Sequence, residues 1–408
     1  MKKVCLPLIV MLLLGLQSNG ISEINPVKNS KKSSYYTSIQ HAYNGALSGE
    51  SLLMQAVYFI EDINLNQNIE TELLGGYDNG FTTASGFTTI YGTLIISNGT
   101  ATIANVTIGG SANRWTCANT AVGRSPVGVI FDGTHIWVAD ETGEDIYKIQ
   151  AATGAVVAVY PGGHGAQYLA YDNVHNNVWV TNPGSNTVTV INATSGASLN
   201  YSSGNNPDGI VFDGANMWVA NYGPGTVTKI RASDGVILQT ISVGVANVSH
   251  PRFLAYDNSA NRIWVTIGSD NKVKKINPDT GEIEGTYDVP GYPYAMVFDG
   301  TSIWVTQGIL NTVVKLRTSD GAIIGTYNAG VAPNGIAFDG AYIWITDQVG
   351  SGVPFPLDTI CTVTQLRADD GAHVGTYRTG ERPQWVTSGG GFIWVTNGSD
   401  NTVSRCTF

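Results

Sequence analysis

The sequence is poor in charge and poorest in bases. Charged residues make up 13% of the chain, and 21 Lys and Arg stand against 31 Asp and Glu, a formal net charge of −10. No basic stripe is available to neutralise phosphates, which disfavours nucleic acid and anionic membrane surfaces, and no nucleic-acid partner is expected. Beyond residue 20 no apolar run approaches 18 residues, which excludes a membrane-spanning helix. Several catalytic signatures are also missing: there is no phosphate-cradling Gly loop, no Gly-x-Ser-x-Gly elbow, no Cys-x-x-Cys, no haem-attachment motif and no His-x-x-x-His pair.

What is present suits strands and tight turns. The 408 residues include 49 Gly, and Thr, Ser, Asn, Val and Ile crowd the remainder. Residues 1–20 carry a basic start (Lys2, Lys3), an apolar run from Val4 to Leu16 and a small, polar end, the pattern of a secretory signal peptide. The expectation is a protein exported to the periplasm, the cell surface or the medium. Cleavage would leave Cys117, Cys361 and Cys406.

Residues 21–36 lack apolar periodicity and read as a linker. In residues 37–110, Ile39, Ala42, Tyr43 and Ala46 fall at helical spacing, and short apolar runs follow around 54–60, 69–74, 88–96 and 100–108. From 111 to 408 a repeat dominates, built on Phe-Asp-Gly, Ile-Trp-Val-Thr-Asn, Thr-Val-x-Lys-Ile and a Ser-Asp-Gly turn. Trp137, Trp179, Trp218, Trp264, Trp304, Trp344 and Trp394 mark it at spacings of 39 to 50 residues. A unit of about 40 residues with four short strands is one propeller blade, and seven units close a ring. The predicted fold is therefore all-β: a seven-bladed propeller of four-stranded blades with a small module before it.

The last unit ends three strands in, and Trp115 to Gly123 has the texture of the absent fourth strand. If that segment closes the ring, Cys117 and Cys406 lie on neighbouring strands and form a disulfide; the alternative is two buried thiols. Cys361 is then free or a competing partner.

The repeat over 111–408 resembles the seven-bladed propellers of the NHL-repeat and virginiamycin B lyase-like group. The resemblance implies a platform that binds ligands in some members; in the lyases it implies a divalent metal with a catalytic His and Glu, which no local motif maps onto this sequence. The segments 37–59, 73–81 and 92–108 resemble the opening of pectin-lyase-like right-handed parallel β-helices, in which a helix caps the first rung. With two or three rungs, that stack would leave an edge open for the next domain, a partner or another copy.

In a four-stranded meander, the loops joining blades share one face with the loops between second and third strands. The joining loops carry Arg124, His164, His250, Arg252, Tyr292, Tyr294, Asn334 and Arg382, a polar set suited to a protein or carbohydrate ligand. The other reading is a set of solvated loop residues. Asp140, Glu141, Glu144 and Asp145 gather four carboxylates in six residues, a weak candidate for a divalent cation set against a solvated acidic loop. No cofactor is otherwise expected. A long loop with Val353, Phe355 and Leu357 is a candidate docking element, or else packs on its own blade. The leading expectation is a secreted binding scaffold; a metal-dependent lyase or hydrolase is the second, and a component that assembles through 37–110 is the third.

Overall fold

The computed structural model describes residues 27–407 apart from 33, 37, 56–57, 61–62, 78–80, 85–87, 92–93, 110–114 and 349–360. The leader segment and the loop with Val353, Phe355 and Leu357 lie outside the described residues. The chain divides between Asn113 and Arg114 into two compact units.

The first unit opens with β1 (Val27–Asn29) and β2 (Ser34–Tyr36), which pair antiparallel. The stretch read as linker thus holds two strands over 27–36; at three residues each they are too short to show a period. What fixes them is a buried carboxylate. Glu50 accepts from Asn29 Nδ2 and Leu47 N, both at 2.8 Å, and pairs with Lys32 at 3.3 Å. Helix α1 (Ile39–Asn44) starts where Ser38 Oγ accepts from His41 N, and it buries Ile39, Ala42 and Tyr43.

The chain then passes three times through two parallel arrays and twice through a third. Strands β3 (Glu50–Gln55), β6 (Glu70–Tyr77) and β9 (Thr100–Ala104) pair parallel in one sheet, with a register shift after Leu53. Strands β4 (Tyr58–Ile60), β7 (Thr88–Tyr91) and β10 (Val106–Gly109) pair in a second, and β5 (Ile63–Leu65) pairs with β8 (Leu94–Ile96) in a third. Leu52, Met54, Ile63, Leu65, Leu73 and Ile90 fill the interior with the apolar side of α1.

The second unit is seven four-stranded antiparallel sheets. Blade 3 is typical: Pro207–Phe212, Asn216–Asn221, Thr226–Arg231 and Ile237–Ser242. Blade 7 takes three strands from the end of the chain and its outer one, Thr116–Ala121, from the beginning. Cys117 lies opposite Cys406 there and is bonded to it.

Each repeat residue has a structural task. The seven repeat tryptophans are fully buried. In blade 5, Trp304 packs against Tyr327 of the fourth strand, ring centroids 5.3 Å apart and tilted by 30°, and is covered by the Lys315 ammonium at 5.1 Å. That ammonium also donates to the Ala368 carbonyl of blade 6 at 2.6 Å, and Lys148, Lys229 and Lys275 repeat the arrangement across other seams. The lysine of Thr-Val-x-Lys-Ile is thus an inter-blade clasp.

Nearer the axis the threonine of Ile-Trp-Val-Thr-Asn does the same. Thr266, Thr306, Thr346 and Thr396 donate to the carbonyls of Tyr294, Asn334, Gln384 and Val127, each on the following blade, and the last bond joins blade 7 to blade 1. The inner strands come close enough to demand glycine. A Cβ on Gly209 would sit 2.5 Å from the Arg252 carbonyl oxygen and 2.8 Å from Phe253 Cα.

Candidate recognition site at the propeller mouth

Each blade enters its inner strand through one repeat position, Pro in six blades and Ala166 in the other. The residue after it stands at the mouth of the central axis: Val127, Gln167, Asp208, Arg252, Tyr294, Asn334 and Gln384 in blade order. One position further in, Tyr168, Phe253 and Trp385 reach across the axis. Their ring centroids lie 4.5 to 5.2 Å apart, with Tyr294 5.1 Å from Phe253. This aromatic plug closes the axis beneath the ring of mouth residues. Towards the opposite face the inner strands of blades 1 to 3 line a wide-open hollow of about 460 Å³ with Phe131, Leu169, Tyr171, Asn173, Ile210 and Phe212.

The mouth is most elaborate over blades 3 to 5. The Arg252 guanidinium is sandwiched between the rings of Tyr222 and Tyr294, 5.0 and 4.7 Å from their centroids. Its Nη1 donates to Asp208 Oδ2 at 2.7 Å, with side chains 22% and 6% exposed. On the far side of Tyr222 the His250 ring stacks at 4.0 Å with an interplanar angle of 1°. His250 Nδ1 meets Ser269 Oγ at 2.5 Å, and Tyr294 Oη lies 3.2 Å from Tyr168 Oη. The layers His250, Tyr222, Arg252 and Tyr294 therefore form a continuous stack held at both ends.

Burial sets the electrostatics of this stack. It pushes the Asp208 carboxyl upward, and Arg252 pulls it back. It also opposes the charge on Arg252, but Asp208 and the surrounding phenols outweigh it and hold the guanidinium firmly ionised. Burial, then Arg252, depresses His250, so its ring is neutral at pH 7. Burial raises Tyr222 and Tyr294, which stay protonated and able to donate.

Tyr292 stands at the edge of the stack in a left-handed backbone conformation, φ 58°, immediately before Pro293. Its ring lies where a Cβ on Gly268 would go, 2.9 to 3.1 Å from it. The equivalent residues of blades 3, 6 and 7, Asn206, Ala332 and Arg382, share the left-handed conformation at φ 56°, 49° and 55°. The turn selects this conformation, and Asn adopts it at low cost whereas Tyr does not.

Of the residues expected on this face, His250, Arg252, Tyr292 and Tyr294 come together. Asn334 belongs to the same ring on blade 6, where its Nδ2 donates to the Gln384 carbonyl at 3.0 Å. Arg382 is exposed in the joining loop before blade 7. Arg124 N donates to Asp140 Oδ2 at 2.9 Å, and its side chain is exposed. His164 pairs with Glu144, away from the stack.

The four clustered carboxylates turn to separate partners. Asp140 is buried and also accepts from Ser125 N at 2.8 Å, Glu141 accepts from Gln167 Nε2 at 2.7 Å, and Glu144 takes His164. Burial, reinforced by Asp140 and Glu144, raises the Asp145 carboxyl. Among the described residues no three His, Cys, Asp or Glu side chains converge as a metal-holding group. His164 and His250 sit on different blades, with Nδ1 engaged by Glu144 and by Ser269.

Asp208 and Tyr222 were not among the expected residues. Asp208 holds the position after the repeat Pro, which changes from blade to blade, and Tyr222 follows the second strand of blade 3 directly after Asn221.

No family model matches the chain, and no curated protein matches it. Solved structures do. The selenomethionine-substituted virginiamycin B lyase of Staphylococcus aureus is 19% identical with a TM-score of 0.60, over 72% of this chain and all of that one. A catalytically inactive His-to-Ala form of that enzyme with quinupristin gives 19% and 0.61 over the same shares. Hydrazine synthase of Kuenenia stuttgartiensis gives 16% and 0.56 over 74% of this chain and 99% of that one. At these identities the likeness establishes the fold alone, and the chain carries a seven-bladed β-propeller resembling the virginiamycin B lyase-like structures.

Proposed function

We propose that the protein is an exported recognition module that holds a protein or carbohydrate ligand at the propeller mouth over blades 3 to 5. The carrying observation is the clamp on Arg252, which is ionised, fixed between two aromatic rings and anchored by Asp208. A buried ion pair is a poor device for stability and a good one for specificity. Export is supported by the leader-like first 20 residues and by the Cys117–Cys406 bond. The test presents the immobilised full chain to fractionated extracellular protein and polysaccharide. Retention of one fraction that is lost in Arg252→Ala supports the reading; retention unchanged in that variant sinks it.

The likeness to virginiamycin B lyase motivates an enzymatic alternative. Incubation with quinupristin and a divalent cation, followed by mass spectrometry and chromatography, is expected to leave quinupristin unconverted; conversion would replace the scaffold reading with the lyase one.

The first unit supports a second role. Its parallel passes fit a short β-helix of the pectin-lyase-like kind, and its last strands β8, β9 and β10 each pair on one side only among the described residues. Ile95, Ile96 and Ile103 stand exposed there. We read this end as the site where copies assemble. Sedimentation of the full chain is expected to show an oligomer that Ile96→Lys with Ile103→Lys converts to monomer; a monomeric wild type removes this role.

A further inference from the structure

We infer that the arc of the mouth over blades 3 to 5 docks a cationic segment of a partner protein, which covers Val245, Val248, Ile309 and Leu310 with apolar side chains and sets a basic one beside Asp270. This inference rests on the reading of the mouth as the recognition face and names the partner that face fits.

The four aliphatics stand on loops. Ile309 and Leu310 are the tip of the turn between the second and third strands of blade 5, where they are 66% and 50% exposed. The same two positions are Gly184 and Ser185 in blade 2, Ser269 and Asp270 in blade 4, and Ser399 and Asp400 in blade 7. The turn therefore folds with a polar tip, and its geometry does not require two exposed aliphatics. Val245 and Val248, 64% and 58% exposed, belong to the loop that joins blade 3 to blade 4. That loop runs from Val243 to His250, whereas blades 4 and 5 are joined by Val289 to Tyr292 alone. Among the described residues no other large aliphatic side chain is exposed in the mouth loops.

Backbone hydrogen bonds tie these loops into one band. Asn247 N donates to the Gly223 carbonyl of blade 3 at 2.7 Å, Gly268 N of the blade 4 turn to the His250 carbonyl at 3.1 Å, and Ile309 N to the Gly291 carbonyl at 3.2 Å. Leu310 lies over Gly291, where an added Cβ would sit 2.5 Å from its Cγ. The aliphatics are thus presented by loops already fastened to the blades, so binding them orders little new chain. Aliphatic side chains clustered on one rim and ringed by polar groups gain free energy only when a partner takes them out of water.

Charge selects the partner. The band carries Asp208, Asp270 and Asp288 against Arg252 and Lys272. Arg252 is spent on Asp208 and Lys272 on Asp288, while Asp270 accepts from Ser249 Oγ at 2.6 Å and has no cation beside it among the described residues. A second copy of this chain, at −10, or an acidic segment of another protein would bring like charge to that carboxylate. A segment that places Lys or Arg next to apolar anchors meets both halves of the surface.

The test is selection of a random dodecapeptide display library on the immobilised full chain, followed by titration of the best enriched peptide in solution. The enriched peptides are expected to combine Leu, Ile, Phe or Trp with Lys or Arg and to carry net positive charge, and the Kd of the best one to rise about fivefold or more between about 50 and about 300 mM salt. Ile309→Ser with Leu310→Ser, a residue that other blades carry at each of these positions, is expected to weaken that peptide about tenfold or more without moving the unfolding midpoint. Asp270→Asn is expected to weaken it about threefold or more and to flatten the salt dependence. Ile323→Ser with Ile324→Ser, exposed aliphatics of the outer strand of blade 5, is expected to change nothing. No enrichment, enrichment of acidic or wholly polar peptides, or equal binding by the wild type and the Ile309→Ser, Leu310→Ser chain overturns the inference; an unchanged affinity in Asp270→Asn overturns the placement of the base. If an extracellular fraction held by the wild type is still lost in Arg252→Ala, the reading of the mouth as the recognition face stands without this partner.

Discussion

Cys117 and Cys406 are separated by 289 residues and lie directly opposite one another in the register that joins the first strand of the propeller to its last. The bond converts a hydrogen-bonded closure into a covalent one. The junction of blade 7 with blade 1 is held separately by Thr396 Oγ1 donating to the Val127 carbonyl at 2.6 Å, so the ring does not depend on the disulfide alone. Reduction, or Cys117→Ser with Cys406→Ser, is expected to leave a folded propeller destabilised by about 2 to 5 kcal/mol. Thermal unfolding with and without reductant measures this; an unshifted midpoint would show that strand pairing suffices.

The aspartates of the Phe-Asp-Gly turns are alike in sequence and unlike in structure. Asp299 accepts from Thr301 N, Ser302 N and Trp304 Nε1, and lies 3.5 Å from Lys315 Nζ. Asp257 accepts from the Ser259 and Ala260 amides, but its Oδ2 is unpartnered and so is Trp264 Nε1. Asp299→Ala is therefore expected to cost about 1 to 2 kcal/mol more than Asp257→Ala in denaturant unfolding. Burial raises the Asp299 carboxyl, but its hydrogen bonds outweigh that and hold it below 3.8. The stability it adds is present above that value and is lost as the pH falls through the depressed one.

Asp347 behaves in the opposite sense. It occupies the blade 6 position that Asn182, Asn221 and Asn397 hold elsewhere, and it is buried with only Thr362 and Thr364 donating to Oδ2. Burial pushes its carboxyl well above 3.8. A raised carboxyl favours folding at low pH, and that stability is lost as the pH rises from about 3.8 through the folded value. Asp347→Asn is expected to stabilise the protein at neutral pH and to flatten this part of the pH profile. Unfolding midpoints at acid and neutral pH for both chains decide it, and a destabilised variant at pH 7 would contradict the assignment.

Tyr292→Asn measures the cost of a tyrosine in the left-handed turn before Pro293. Replacing a tyrosine by the residue that tolerates a left-handed turn is expected to leave the unfolding free energy unchanged or raise it by up to about 1 kcal/mol. Loss of more than that would show that the packing of the ring on Gly268 outweighs the strain.

Gly209→Ala tests whether blade approach positions the site. The added Cβ would meet the Arg252 carbonyl oxygen at 2.5 Å, so the strand that carries Arg252 must shift. A cost of about 1 to 3 kcal/mol is expected, together with weaker binding at the mouth. Gly214→Ala, where a Cβ meets nothing within 4 Å but φ is 98°, is expected to cost stability without touching binding.

Much of the architecture was legible because a repeat states one solution seven times. Tryptophan spacing marked the blades, and the missing last strand pointed to Trp115–Gly123 and so to Cys117 opposite Cys406. The helix at Ile39–Asn44 followed from its apolar spacing. The strands within 27–36 were not legible, since what holds them is Glu50, a residue their own pattern does not contain. Four of the expected mouth residues met in one cluster, yet Asp208 and Tyr222 were passed over. Their relation to Arg252 exists only once blades 3 and 4 stand side by side.

The sequence by itself determined the local chemistry: alternating apolar runs, turn residues where the chain reverses, and an aromatic in each blade that must be buried. Those are preferences over a few residues, and each repeat carries its own. Tertiary structure decided everything that crosses a seam. Lysines clasp carbonyls 43 to 54 residues away, threonines order the axis, and an arginine comes to rest between two tyrosines against an aspartate 44 residues before it. Ring closure brings the same repeat position of every blade to one mouth, where residues without local meaning become a surface.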